Sequence, residues 1–145
     1  MPHSFTQILI HYVFAPQGRF PVIKTDKQNL IINYIAGICH NYDCHLICGN
    51  AMLDHVHLLV SIPAKHSVAE IAKVIKANTS RFINTQTDNK FKFAWQEGYG
   101  AFSCSYSMLE TIKQYIQNQE EHHKKISFDE EYRSLLLKHN IEVPS

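Results

Sequence analysis

Apolar positions alternate with polar ones at the start of the chain and then switch to helical spacing. In Phe5–Phe14, residues Ile8, Ile10, Tyr12 and Phe14 fall on one face and His11 sits among apolar neighbours on the other, which predicts a largely buried strand. Pro16, Gly18 and Pro21 mark a loop after it. Thr25 and Gln28 have the spacing of a capping box, and Leu30, Ile31, Tyr34, Ile35, Ile38 and Tyr42 follow at helical intervals over about four turns. Two strands come next, His45–Met52 and His55–Ile62, joined by so few residues that they read as a hairpin. A second box, Ser67 with Glu70, opens a helix with Val68, Ile71, Ile75, Thr79 and Phe82 on one stripe and Lys73, Lys76, Ser80 and Asn84 on another. A polar loop covers Thr85 to Lys92, and beyond Phe93-Ala-Trp-Gln the run Gly98–Tyr106 reads as a strand with a glycine-permitted bend. Ser107 with Glu110, and Ser127 with Glu130, cap a third and a fourth helix.

The order is strand, helix, strand, strand, helix, strand, helix, helix. Its first six elements match the ferredoxin-like β-α-β-β-α-β pattern, an α+β fold with an antiparallel sheet and helices on one face, here followed by C-terminal helices. The 145 residues form a single domain, with a core over about residues 5–125 and a C-terminal packing helix over about 127–140. No internal repeat or linker interrupts it. At 45% hydrophobic, with only 5 Gly and 5 Pro, the chain is neither a disordered tail nor a collagen-like or low-complexity protein. A chain of this size buries roughly two-thirds of its unfolded surface, so it needs neither disulfide nor structural metal to fold. No apolar run approaches the ~20 residues that span a bilayer, and no secretory signal follows Met1. The expectation is a cytoplasmic protein without a membrane partner. The fold hosts metal carriers, RNA binders, metabolic enzymes and DNA-nicking enzymes, so it does not choose a function.

A net charge of +1 argues against a strongly basic nucleic-acid binder. The charge is unevenly placed: Lys65, Lys73, Lys76, Arg81, Lys90 and Lys92 face only Glu70 and Asp88 in residues 61–95, whereas residues 110–145 lean acidic. One basic flank on a neutral body is either an electrostatic footprint or a set of solvated lysines. Cys39, Cys44 and Cys48, with His40 and His45 beside them, invite a zinc reading, but they lack paired C-x2-C knuckles. Their apolar context favours buried thiols.

The stretch Asp54-His55-Val56-His57-Leu-Leu-Val60 carries the most chemical information. Residues two apart on a strand project from one face, so His55 and His57 point the same way and Val56, Leu58 and Val60 the other. Two imidazoles so placed can share a divalent ion with coordination positions left open, or they are a pair of surface histidines. On the third helix Tyr115 and Gln119 stand at i and i+4 and share a face, beside an apolar stripe of Leu109, Ile112 and Ile116. Taken alone, that tyrosine reads as packing with a polar handle.

Together, His-hydrophobic-His on a strand of such a sheet and Tyr-x-x-x-Gln on a later helix resemble the single-tyrosine HUH endonucleases, and within them the IS200-like transposases. The likeness runs through Ile8–Phe14, Asn50–Val60, Val74–Phe82, Trp95–Ser103 and Tyr115–His123, with no departure at the motif positions. It implies a transposase that cuts and rejoins single-stranded DNA bearing hairpins near the element ends. By that resemblance His55, His57 and Gln119 hold a divalent metal, Mg2+ or Mn2+, and Tyr115 is the nucleophile, leaving a 5′-phosphotyrosine and a free 3′-OH. It also implies a homodimer in which the tyrosine helix of one subunit completes the other's site, an exchange that Gly98 and Gly100 could allow. No small-molecule cofactor is implied.

Lys73, Lys76, Ser80 and Arg81, on or beside the polar stripe of the second helix, are the candidate phosphate contacts. Trp95 and Tyr99 could stack on an unpaired base, but core packing is the simpler reading. His122 and His123 extend the Tyr115/Gln119 face toward metal or phosphate, or form a solvated helix end beside Lys124 and Lys125, the reading favoured here. His11 and His66 read as structural, the segment from Ser127 onward as a packing helix without chemistry, and no general base is evident. The alternatives are a domesticated nicking enzyme with the same chemistry, a non-catalytic nucleic-acid-binding module, and a metal carrier using the cysteines.

Overall fold

A computed structural model describes residues 4–86 and 92–144 of the chain. Four strands, β1 (Leu9–Phe14), β2 (His45–Ala51), β3 (Val56–Ser61) and β4 (Gly100–Cys104), form one antiparallel sheet in the order β2-β3-β1-β4. The helices are α1 (Gln28–Asn41), α2 (Val68–Thr85), α3 (Leu109–Gln117), the single turn α4 (Gln119–His122) and α5 (Phe128–Lys138). This is the ferredoxin-like arrangement expected. No described helix is long and apolar enough to cross a membrane.

The sheet is covered on both faces, because its central strands are apolar on both. Ile10, Tyr12, Phe14, Val56, Leu58 and Val60 meet Ile31, Ile35 and Ile38 of α1 and Ile71, Ile75 and Ile83 of α2 in the main core. Trp95 belongs to that core and donates through Nε1 to Thr79 Oγ1 at 2.9 Å, so packing explains it. On the opposite face Leu9, Leu59 and Ile116 of α3 cluster, and Val13, Ala15 and Phe102 receive Phe128 and Leu135 of α5. The C-terminal helices therefore lie on the face to which His55 and His57 point.

Strand β2 carries a bulge between Leu46 and Cys48. Leu46 packs on the α1–α2 side, whereas Ile47 and Cys48 both pack on the α3 side. The extra residue resets the alternation, so that Asn50, opposite His57, turns to α3 and donates Nδ2–H to the Ile116 carbonyl at 2.9 Å. Cys39 and Cys44 sit in one core and Cys48 on the other side of the sheet. These thiols do not converge on a zinc ion, and burial pushes Cys39 up to about 12 and Cys48 to about 11.

The Ser67–Glu70 and Ser127–Glu130 capping boxes form as expected. The other two do not. Thr25–Lys27 makes a 3-10 turn, with Gln28 Nε2 donating to the Ile23 carbonyl, and Tyr106–Met108 makes another, with Ser107 bonded to Ser105. The tyrosine helix also breaks at Asn118, which separates Tyr115 on α3 from Gln119 on α4. The middle of the polar loop after Thr85, with Asp88 and Lys90 of the basic flank, lies outside the described residues.

Gly100 is needed for close approach. A Cβ there would stand 2.9 Å from the Tyr132 ring of α5 and 3.1 Å from that of Phe102. Gly100→Ala should therefore cost about 1–3 kcal/mol by overpacking, read as a lowered Tm in thermal melts. An unchanged Tm would mean that α5 yields at no cost.

Candidate metal centre and tyrosine site

The site is built from five elements whose side chains meet on the α3–α5 face of the sheet. His55, just before β3, and His57 within it are almost fully buried, at 1% and 0% exposure. His57 pairs across the sheet with Val13 of β1. Two residues along β1 from Val13, His11 places Nε2 2.8 Å from His57 Nδ1. Tyr115 stands edge-on to His57, with ring centroids 5.7 Å apart. The Asn50 bond to the Ile116 carbonyl ties α3 down beside it. Gln119, at 0% exposure, brings Oε1 to 3.0 Å from His55 Nε2. The four residues singled out as metal ligands and nucleophile thus converge within one chain.

At their centre is Glu131 of α5, 1% exposed. Its carboxylate accepts from the Tyr115 hydroxyl and from Gln119 Nε2 at 2.8 Å. Its Oε1 lies 3.2 Å from His57 Nε2 and 2.8 Å from His123 Nε2. This corrects three expectations. The helix after Ser127 does more than pack, since it buries the Glu131 carboxylate in the cluster. His123 is not a solvated helix end but bridges the Ile126 carbonyl and Glu131. His122 Nε2 is buried without a hydrogen-bond partner, 3.7 Å from Glu131 Oε2. Arg19 holds α5 in place, paired with Asp129 at 2.9 Å and lying over the rings of Phe128 and Tyr132. Phe128 in turn stacks on His55 at 4.1 Å.

Proton accounting shows that these residues fit a cation. Asp54 Oδ1 accepts from His55 Nδ1–H at 2.7 Å, which turns the Nε2 lone pair toward Gln119 Oε1 and toward Glu131 Oε1 at 3.5 Å. His123 repeats the arrangement: Nδ1–H donates to the Ile126 carbonyl and Nε2 faces the carboxylate. Lone pairs of nitrogen and oxygen aimed at one point are what a divalent ion satisfies. One ligand atom each from His55, His57 and Glu131 lies within 4.8 Å of the others, the one such cluster among the described residues. Were a cation to take His57 Nε2, the ring proton would sit on Nδ1, within reach of His11 Nε2.

Burial dominates the titration of the site. It raises the Tyr115 phenol well above its usual range, and the neighbouring Glu131 carboxylate raises it further. Burial also favours a neutral Glu131, but donation from His57, Tyr115 and Gln119 outweighs it and holds the carboxyl below its usual range. Burial lowers His57, and burial with the His57 charge lowers His11 to about 3. With folded-state values below the usual 6.5 or so, the unfolded chain takes up protons first as pH falls. The stability conferred by neutral rings is complete above pH ~6.5 and is lost on acidification, by up to about 1.4 kcal/mol per pH unit for each ring. The urea midpoint of the metal-free protein should therefore fall steadily between about pH 6.5 and 4.5, less steeply in His11→Gln. A flat profile would show both rings to take up protons in the folded state as they do in the unfolded chain.

The proposed phosphate contacts are elsewhere. Lys73, Lys76, Ser80 and Arg81 lie on α2, across the sheet from the site. Lys73 and Arg81 are exposed. Ser80 bonds the Ala77 carbonyl of its own helix. Lys76 donates to the Gln96 and Glu97 carbonyls at 2.7 and 2.9 Å and lies over the Tyr99 ring.

Residues 4–119 match the family model described as transposase IS200-like. The transposases of insertion sequence element IS200 from Salmonella typhimurium and Salmonella typhi are each 26% identical to this chain over 129 residues, covering 86% of it and 84% of their own length. A Deinococcus radiodurans protein assigned as a transposase shares the fold, with a TM-score of 0.66 and 20% identity over 82% of this chain and 95% of its own. A REP-associated tyrosine transposase bound to a REP hairpin gives 0.62 and 11% over 87% and 74%. The matched segment ends at Gln119, short of His123 and Glu131.

Proposed function

The chain belongs to the IS200-like transposase family, and we propose that it cuts and rejoins single-stranded DNA at insertion-sequence ends, with Tyr115 as nucleophile and His55, His57, Gln119 and Glu131 as the seat of a divalent ion. One observation carries this reading: the phenol, both imidazoles, the amide and the carboxylate meet in a single buried cluster. Held there, Mg2+ or Mn2+ would supply positive charge to offset that of the scissile phosphate. The donor set of two imidazoles, one amide and one carboxylate accommodates Mn2+ more readily than Mg2+.

The residues themselves account for the rest. A phenol beside an ionised carboxylate keeps its proton at rest, so Tyr115 is inert until DNA arrives. As its oxygen bonds to phosphorus, the phenol proton has an acceptor in place at Glu131 Oε2. The P–O3′ bond breaks and the upstream strand leaves as a 3′-OH, its oxygen taking a proton from solvent to which Glu131 returns the phenol's. The phosphotyrosine keeps the diester bond, so a second 3′-OH can attack it and reseal DNA without another energy source. Asp54 and His11 hold the two imidazoles in orientation throughout. Lys73 and Arg81, with Ser80 between them and Lys76 bracing the approach to β4, are proposed to hold hairpin phosphates on the far side of the sheet. The reading includes a homodimer, since the same cluster can be completed by a chain's own α3 and α4, as here, or by a partner's.

The test is covalent capture. The protein is incubated with end-labelled single strands carrying hairpins from its own genomic flanks, with Mn2+ or Mg2+, and run on denaturing gels. A labelled adduct that requires the metal and is lost in His57→Ala is the expected result. No adduct with hairpin binding intact would leave a binding module.

A further inference from the structure

A recess of about 280 Å³ opens beside Tyr115 between β4, α3 and the end of α5. It shares Tyr115 and His11 with the site just described but reaches away from His55, His57 and Gln119, none of which lines it. Its walls are apolar, with Phe102, Ile112 and Leu135 the main surfaces. His139 lies against Phe102 with ring centroids 4.5 Å apart, adding a second flat π surface. Lys138 is at the rim, and no acidic residue lines the recess. Apolar, aromatic walls under a cationic rim suit a flat base flanked by phosphates. The cavity is also continuous with the nucleophile.

We propose that this recess binds the deoxynucleoside immediately 3′ of the scissile phosphate, the one that remains bonded to Tyr115 after cleavage. The assignment rests on the nucleophilic role of Tyr115 proposed above. In-line displacement puts the leaving O3′ opposite the attacking oxygen, so the upstream nucleoside lies across the phosphate from Tyr115. The bond to the downstream O5′ is lateral, and only that nucleoside can fold back along the tyrosine into a cavity on its own side. The recess then anchors the intermediate through its base as well as through the covalent bond, which keeps the phosphotyrosine in place for the second strand.

The experiment has two arms. In the first, hairpin substrates carry either a base or an abasic residue immediately 3′ of the cut. Adduct formation should slow roughly tenfold on the abasic strand. Thr111→Trp, which fills the recess from an exposed position on α3, should slow the intact substrate to the same extent and leave the abasic one unchanged. Equal rates on the two strands would overturn the proposal while leaving the nuclease reading in place. In the second arm, thymidine 5′-phosphate and 2-deoxyribose 5-phosphate are titrated by NMR. The nucleotide should bind roughly tenfold tighter, and Thr111→Trp should erase the difference. Lys138→Glu, a rim change that needs no repacking, should weaken both probes. Equal affinities would overturn the recess even if no adduct forms. A base preference without any Tyr115–DNA adduct would sink the nuclease reading and with it the assignment of the recess to the bonded nucleoside, leaving only a nucleotide site.

Discussion

Tyr115→Phe is expected to abolish the covalent protein–DNA adduct, by at least about a thousandfold, because phenylalanine has no oxygen to attack phosphorus. The ring remains in its half-buried position against His57 and His11, so the packing of α3 survives. Glu131 loses one donor but keeps Gln119 Nε2 at 2.8 Å and His123 at the same distance. The stability cost should therefore be that of one hydrogen bond, about 1 kcal/mol. Hairpin binding should be unchanged, since the phosphate contacts proposed for it lie across the sheet. Denaturing gels, a binding titration and a thermal melt on the same preparation separate these effects. An adduct that persists in Tyr115→Phe would assign the chemistry to another nucleophile.

Glu131→Ala should have the second large effect, on metal affinity as well as on the fold. As the one carboxylate in the ligand cluster, Glu131 supplies its only fixed negative charge, and its removal should weaken Mn2+ binding about 100-fold or more in titration calorimetry. Gln119→Ala removes a neutral oxygen and should weaken binding less. The same change strips an acceptor from the Tyr115 hydroxyl and Gln119 Nε2, leaving buried donors that each cost about 1–3 kcal/mol. Metal-free Glu131→Ala should thus melt below wild type, and added Mn2+ should restore less of its Tm than it adds to wild type. An unchanged Mn2+ affinity would exclude the carboxylate from the coordination sphere and leave the histidines and Gln119 to hold the ion.

The half of the site that lies on regular elements was legible in the sequence. Period two places His55 and His57 on one face wherever the strand begins, so the one-residue difference in the start of β3 did not matter. The i, i+4 pair Tyr115 and Gln119 survives the break at Asn118 because the turn there stays close to helical, with φ −94° and ψ 20°. Glu131 was hidden by its surroundings. It follows Ser127, Asp129 and Glu130, where acids ordinarily serve the helix N-terminus. The available signal was periodicity: Glu131 falls with Phe128 and Leu135 on the buried stripe of α5, and a charge on such a stripe needs a partner. His11 carried a similar signal, a titratable ring in a strand buried on both faces. The cap at Ser107 failed for a different reason, since a 3-10 turn precedes α3 and moves its first residue to Leu109.

The bulge in β2 makes the geometry of the tyrosine a matter of counting residues. Ile47 is the extra one, and from Cys48 onward every side chain of the strand is in the opposite phase from what plain alternation after Leu46 would give. Pairing every residue of the strand without the bulge, at the same length, would return Gly49 to the α3 side and turn Asn50 inward against α1, a swap of a tether for a blank. Neither residue touches the ion or the nucleophile, yet the Ile116 carbonyl would lose its anchor and Tyr115 its fixed distance from His57. Strand length in this segment is therefore tied to the bulge, and the two can change only together. Losing Ile47 together with the bulge would leave Asn50 where it is, but losing the bulge alone would disarm a site that this segment never contacts.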